Sequence, residues 1–287
     1  RKAAEQGYAL AQNNLATKYY RGEGVQKSYA TALQWYGKAA EQGFVSAFFS
    51  LGIMYENAEG VEKSYKTALK WYRKAAEQGD AITQTHLGVM YSFGRGVEQS
   101  DISAVEWYKK AAEQGDKQSQ FLLGFMFAGG QGVEQSDKSA VYWYRKSAKQ
   151  NYDFAQNSLG FMYKHGRGIE QSDKSAVEWF QKSAEQGLSD GQVNLGYMYY
   201  MGRGVEQSDK SAAEWFGKAA EQGNDQGQFM LGRLFAEGRG VEKSEKSAVE
   251  WFRKSAEQGL ASAQYRLGIM YQKGTGVEIN DVTAKEW

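Results

Sequence analysis

Cysteine and proline are both absent from the 287 residues, and histidine occurs only twice. Without cysteine there is no disulfide framework, no thiolate metal site and no cysteine nucleophile. Without proline, glycine has to supply the helix stops. His86 and His165 lie far apart, and neither belongs to an HExxH spacing, so metal-centre and triad chemistry lack their residues. No catalytic residue, no metal and no cofactor is expected, and the chain reads as a non-enzyme. An excess of one charge is missing too: Lys plus Arg is 35 against 34 for Asp plus Glu. No basic stripe announces nucleic acid or an anionic membrane, so a protein or peptide partner is expected instead. The longest apolar run, Phe121 to Ala128, is broken by Gly124 and falls well short of the roughly 18 residues of a membrane span, so no membrane insertion is expected.

What the chain does have is a period. Its eight tryptophans, Trp35, Trp71, Trp107, Trp143, Trp179, Trp215, Trp251 and Trp287, stand 36 residues apart with none between. Leucine recurs in the same phase from Leu15 to Leu267, and alanine from Ala32 to Ala284. A period of this length marks a stacked array of supersecondary units.

Each unit reads as two helices. In the second, Ala32, Trp35, Tyr36, Ala39 and Ala40 follow the i, i+3, i+4, i+7, i+8 spacing of an amphipathic stripe. Ser28, Ser64, Ser100, Ser136, Ser172, Ser208 and Ser244, with Asn280 last, occupy its N-cap, where a side-chain oxygen accepts from an unpaired backbone N–H. Glycines from Gly7 to Gly259 close it, with Asn151 substituting once. The first helix covers about 46–56 in one unit and 154–164 in another, and Ala47, Leu51 and Tyr55 line its buried face. A recurrent mid-helix glycine, from Gly52 to Gly268, costs about 1 kcal/mol relative to alanine and implies a neighbouring helix or a Trp ring pressed close. The interhelical loops read Gly-Arg-Gly or similar, followed by an aliphatic residue. Ala58-Glu59-Gly60 breaks the pattern, and a different turn with a change in curvature is expected there.

These residues resemble the Sel-one-like repeat family, a relative of the tetratricopeptide repeats, and the resemblance covers the whole chain. The fold expected is all-α: an α/α superhelical solenoid of about eight 36-residue helix-turn-helix repeats, with first helices on the concave wall. As a domain, residues 1–287 read as a single Sel-one-like repeat solenoid cut mid-repeat at both ends. A lone unit buries too little apolar surface to fold, so stability comes from interfaces between neighbours.

The glycine-rich loops recur once per unit and lack the GxxxxGK[ST] pattern, so they read as turns and not as phosphate cradles. Glu106, Glu178, Glu214 and Glu250 recur beside the tryptophans and read as solvated helix face. Residues that escape the period are the informative ones. On the first helices, away from Leu51 and Tyr55, they form an apolar stripe: Phe49, Ile53, Val89, Phe121, Phe125, Phe161, Val193, Tyr197, Phe229, Tyr265 and Ile269, extended by Phe154 and Tyr200. Such a stripe is either an exposed partner-binding surface or packing between units. Thr85, Asn157 and Arg233 interrupt it, which favours partial exposure.

The resemblance implies a scaffold or adaptor that holds other proteins, and the stripe points to a protein or peptide in the concave groove against Phe121, Phe125, Phe161 and Tyr197. Two alternatives stay open: an immunity protein that neutralises a secreted toxin, and an RNA-binding helical-repeat protein of the pentatricopeptide kind. Cysteine-rich relatives linked to cell-wall or antibiotic-related binding lack a counterpart here. No Asn-X-Ser/Thr site occurs, consistent with a bacterial source, and the resemblance implies a periplasmic or secreted setting ahead of the cytoplasm.

Overall fold

The computed structural model describes residues 1–287 as seventeen helices with no strand. A short α1 (Lys2–Glu5) precedes eight helix pairs. The first helices of the pairs are α2 (Ala9–Arg21), α4 (Val45–Asn57), α6 (Ala81–Phe93), α8 (Lys117–Gly129), α10 (Asp153–His165), α12 (Ser189–Met201), α14 (Asp225–Glu237) and α16 (Ala261–Lys273). The second helices are α3 (Tyr29–Glu41), α5 (Tyr65–Glu77), α7 (Asp101–Glu113), α9 (Asp137–Lys149), α11 (Asp173–Glu185), α13 (Asp209–Glu221), α15 (Glu245–Glu257) and α17 (Asp281–Glu286). The chain divides into two compact units, Arg1–Trp143 and Tyr144–Trp287. In each, a first helix packs on its own second helix and that second helix packs on the next first helix, the solenoid arrangement of stacked pairs.

The helix boundaries follow from local chemistry. At the start of the second helices, Ser28 Oγ accepts from the Thr31 N–H at 3.2 Å, Ser100 Oγ from the Ser103 N–H at 3.2 Å and Asn280 Oδ1 from the Thr283 N–H at 2.9 Å. Each bond satisfies a donor that has no partner within the helix. The first helices end on a left-handed residue, Gly22 at φ 76° and Gly94 at φ 64° being typical. Ala58 holds the same conformation at φ 60°, so the turn expected to differ does not: the fold imposes the left-handed residue although the Cβ is costly there.

The tryptophans mark the period without forming its centre. Trp35, Trp71 and Trp107 are half-buried, while the aromatic residue that follows each landmark is the buried one: Tyr36, Tyr72, Tyr108, Tyr144, Phe180, Phe216 and Phe252. That ring explains the mid-helix glycine. A Cβ on Gly160 would stand 2.7 Å from Phe180, one on Gly196 2.8 Å from Phe216, and Gly52 and Gly88 meet Tyr72 and Tyr108 closer still. The close ring is thus the residue after the tryptophan, whereas each tryptophan bridges repeats. Trp107 packs on the core that Tyr72 of the preceding repeat forms with Leu87 of its own, and Trp251 on the one that Phe216 of the preceding repeat forms with Leu234 of its own. A lysine ammonium covers the outer ring face, 4.0 Å away for Lys110 on Trp107 and 4.1 Å for Lys218 on Trp215, a cation–π contact.

A second periodic device is polar. Gln84, Gln120, Gln156, Gln192 and Gln228 are buried near the start of their first helices. Gln84 Nε2 donates 3.0 Å to the Ala76 carbonyl of the preceding second helix, while its Oε1 accepts from Gln114 Nε2 at 2.7 Å. Gln192 does the same with Ala184 at 3.3 Å and Gln222 at 2.8 Å. One side chain therefore ties three helices together, and its buried polar atoms are all satisfied.

Candidate interaction surface on the first helices

In unit 1 the apolar stripe divides between packing and exposure. Phe49, Ile53 and Val89 are half-buried against the core, the Phe49 ring centroid lying 5.6 Å from Tyr72 and 6.2 Å from His86. Phe121 is also half-buried, whereas Phe125 is 51% exposed. Unit 2 divides in the same way. Tyr197, Tyr200 and Phe229 pack partly on the core around Phe216, and Ile269 is half-buried. Phe154, Phe161 and Tyr265 are 45%, 40% and 68% exposed. Val193 is only 7% exposed, so it belongs to the core and supports the face from beneath.

Of the polar interruptions, Asn157 and Arg233 are half-buried, whereas Thr85 does not report exposure as expected. Thr85 is buried, and the stack satisfies it: its Oγ1 donates to the Ala81 carbonyl or Asp116 Oδ1, both at 3.0 Å, and lies 2.6 Å from Ser119 Oγ. Asn157 accepts from Asn194 Nδ2 at 2.9 Å. A polar residue inside such a stripe needs only a partner on the next repeat, not water.

Cavities open between consecutive first helices, with the buried aromatic ring in their lining. One of about 190 Å³ lies between α2 and α4, lined by Thr17, Tyr20, Tyr36, Phe49 and Ile53. Another of about 340 Å³ lies between α6 and α8, where Tyr108, Leu122, Phe125 and Met126 meet Ser92 and Gln131. In unit 2 a cavity of about 240 Å³ lies between α14 and α16, with Phe252, Ile269 and Met270 beside Arg233, Arg266 and Lys273.

Two side-chain clusters on these helices are absent from the sequence reading. In unit 1, Glu56 Oε2 accepts from the Tyr72 hydroxyl at 2.8 Å and meets His86 Nε2 at 2.8 Å, while Arg95 Nη1 stands 3.8 Å from Oε1. Burial, then the bond to Glu56, push the Tyr72 phenol up, so it stays a proton donor to the carboxylate. This arrangement braces α4, α5 and α6. In unit 2, Tyr200 receives Arg239 Nη1 at 2.5 Å and Arg233 Nη2 at 3.2 Å, and Arg239 makes a two-point pair with Asp209 at 3.0 and 2.8 Å. The hydrogen bond to Asp209 holds the Arg239 guanidinium above its ordinary pKa. Burial instead pulls Lys164 and His165, on α10, below theirs. Glu56, His86 and Tyr200 all break the 36-residue period, and this was the available signal.

The Sel1 repeat model matches residues 9–44, 46–80, 81–116, 117–152, 153–188, 189–224, 225–260 and 261–287. The chain belongs to the Sel1 repeat family. Among solved structures it is similar to a Sel1 repeat protein from Oxalobacter formigenes, with 35% identity over 100% of this chain and 83% of that one and a TM-score of 0.76. It is also similar to c5321, a protective antigen present in uropathogenic Escherichia coli strains and displaying an SLR fold. There the identity is 37% over 99% of this chain and 76% of that one, with a TM-score of 0.61. No curated protein matches the sequence. Sel1 repeat proteins are generally protein-interaction scaffolds, and no helix of this member is long and apolar enough to cross a membrane.

Proposed function

We infer that this Sel1 repeat protein is a non-catalytic scaffold that holds a protein or peptide partner on the face of its first helices. The observation that carries the reading is made once in each unit: Phe125 on α8 and Phe161 on α10, at equivalent positions of their repeats, each leave a large aromatic ring about half in water. Packing within the array does not account for that exposure; Phe125 also borders the α6/α8 cavity, and exposed aromatic anchors are the usual core of a binding patch. Phe49, Ile53, Val89 and Phe121 complete the proposed face of unit 1, and Phe154, Val193, Tyr197, Tyr200, Phe229, Tyr265 and Ile269 complete that of unit 2. Val193 contributes shape and not contact.

The test is affinity capture with mass spectrometry using the wild-type chain and a Phe125→Ala, Phe161→Ala variant. The expected result is a set of proteins held by the wild type and lost from the variant, with the circular dichroism melt nearly unchanged because both rings are exposed. Unchanged capture, or a collapsed melt, would overturn the reading.

A further inference from the structure

The cavity between α14 and α16 differs in charge from its counterpart between α6 and α8. Its apolar part is Phe252, Ile269 and Met270. Around them stand Arg233, Arg266 and Lys273 with one carboxylate, Glu237. That carboxylate is already shared, its Oε1 accepting from Arg233 at 3.4 Å and its Oε2 lying 3.7 Å from Arg239. Arg266 and Lys273 are exposed and make no ion pair. Arg233, which also lines the cavity, has its Nε buried without a hydrogen-bond partner. The α6/α8 cavity, by contrast, has Ser92, Gln99, Gln131 and Asp101 around its apolar part and no cation.

We propose that the α14/α16 cavity captures a partner segment in which a large apolar side chain is flanked by carboxylates. The apolar side chain enters against Phe252, Ile269 and Met270, and the carboxylates meet Arg266 and Lys273, with Arg233 adding its charge from the wall. Uncompensated cations around a partly enclosed apolar surface focus a positive field and raise the local concentration of an anionic ligand. Size favours a side chain over a small-molecule cofactor, because the cavity of about 240 Å³ lies below the range of about 300–1,000 Å³ common for such ligands. A second carboxylate would also complete what Glu237 supplies alone, since guanidinium groups take carboxylates at two points. This inference rests on the scaffold reading and adds the chemistry of the partner to it.

The experiment uses the whole chain and a fluorescein-labelled decapeptide with a central leucine flanked on each side by two glutamates, followed by fluorescence anisotropy. Three control peptides replace the glutamates with glutamine, the glutamates with lysine, or the leucine with serine. The glutamate peptide is expected to bind at least about tenfold more tightly than each control, with the difference shrinking as salt rises. Arg266→Glu with Lys273→Glu should remove the preference for glutamate over glutamine and leave the melt unchanged, since both side chains are exposed. Equal binding of the glutamate and glutamine peptides, or a charge-reversed chain that keeps the preference, would overturn the inference. So would a labelled single-stranded RNA that binds more tightly than the peptide and is lost on charge reversal, because it would assign the cations to phosphates. Capture that still depends on Phe125 and Phe161 in those cases leaves the scaffold reading standing, whereas its loss would remove that reading as well.

Discussion

Unit 1 places Tyr36, Tyr72 and Tyr108 at the buried position after the tryptophan; unit 2 begins with Tyr144 and continues with Phe180, Phe216 and Phe252. In the three repeats with phenylalanine the difference is one hydroxyl, and it decides what their first helices can carry. A buried phenol needs a partner. Tyr36 finds Thr17 at 3.0 Å, Tyr72 finds Glu56 at 2.8 Å and Tyr108 finds Ser92 at 3.1 Å. Where phenylalanine stands instead, the positions equivalent to Glu56 and Ser92 are released from that duty and hold Lys164, Tyr200 and Ala236. The polar residues of unit 1's face are therefore committed inward. In unit 2 the face is free to hold Tyr200 with Arg233 and Arg239, and beside them the cationic cavity.

The largest test of this contrast removes the ring from unit 2. Phe216→Ala should lower stability by about 3–5 kcal/mol, read from urea melts, because Phe216 is fully buried and Gly196 was kept small to receive it. Trp215→Ala, next to it, should cost less, since that ring is half-buried. Equal losses would return the tryptophan to the centre of the repeat.

The next test removes only the hydroxyl. Tyr72→Phe leaves the mostly buried Glu56 with one donor fewer and should cost about 1–3 kcal/mol. The same substitution at a position where unit 2 already carries phenylalanine has no counterpart cost, which is the content of the comparison. A pH dependence accompanies it. The folded-state pKa of Tyr72 is raised, so its contribution is fully present below the ordinary tyrosine value of about 10 and is lost as pH climbs through the folded value. Melts of Tyr72→Phe should therefore fall less steeply on the alkaline side than those of the wild type; identical alkaline slopes would separate the phenol from the stability of unit 1.

Much of this architecture was legible in the sequence, and what was not has a physical reason. The Ser and Asn caps, the glycine stops and the paired helices depend on local chemistry, and they recur, so each repeat confirms the others. A Trp ring does not press on the mid-helix glycines, because a periodic tryptophan marks a recurrent position without saying how deep it sits; Tyr36, one residue on from Trp35, is equally periodic and more buried. The glutamines at Gln84 and Gln192 recur too, but spacing assigns no role to a polar residue on an apolar face whose partners lie on other helices. The Glu56–His86 contact, 30 residues apart, joins neighbouring repeats through non-periodic positions, and spacing alone does not pair them. For the same reason the stripe from Phe49 to Ile269 could not be sorted into packed and exposed members.

A smaller effect is expected from the ion pairs of unit 2. Arg203–Asp173 and Arg239–Asp209 each join a loop to the start of the preceding second helix, where unit 1 has Tyr29 and Tyr65 in place of the first two aspartates. Both partners are about one-third exposed, so Asp209→Asn should cost no more than about 1 kcal/mol, and added salt should shrink the difference. A loss that persists in high salt would mean that the hydrogen-bond geometry around Tyr200, and not charge, holds the loop.

The smallest effect should be a gain. All four first helices of unit 2 end on glycine, at Gly166, Gly202, Gly238 and Gly274, whereas unit 1 ends α4 on Ala58 with φ at 60°. A Cβ in the left-handed region costs about 1–2 kcal/mol, and glycine returns part of that advantage through its greater freedom in the unfolded chain. Ala58→Gly should therefore stabilise the protein by about 0.5 kcal/mol, visible as a small rise in the urea midpoint. The matching reversal, Gly202→Ala, should lower it, with the added cost that a Cβ there would stand 3.1 Å from Gln207 Cβ. If Ala58→Gly instead destabilises the chain, the alanine is held by contacts of its methyl group, and the loop between α4 and α5 is then a distinct turn after all.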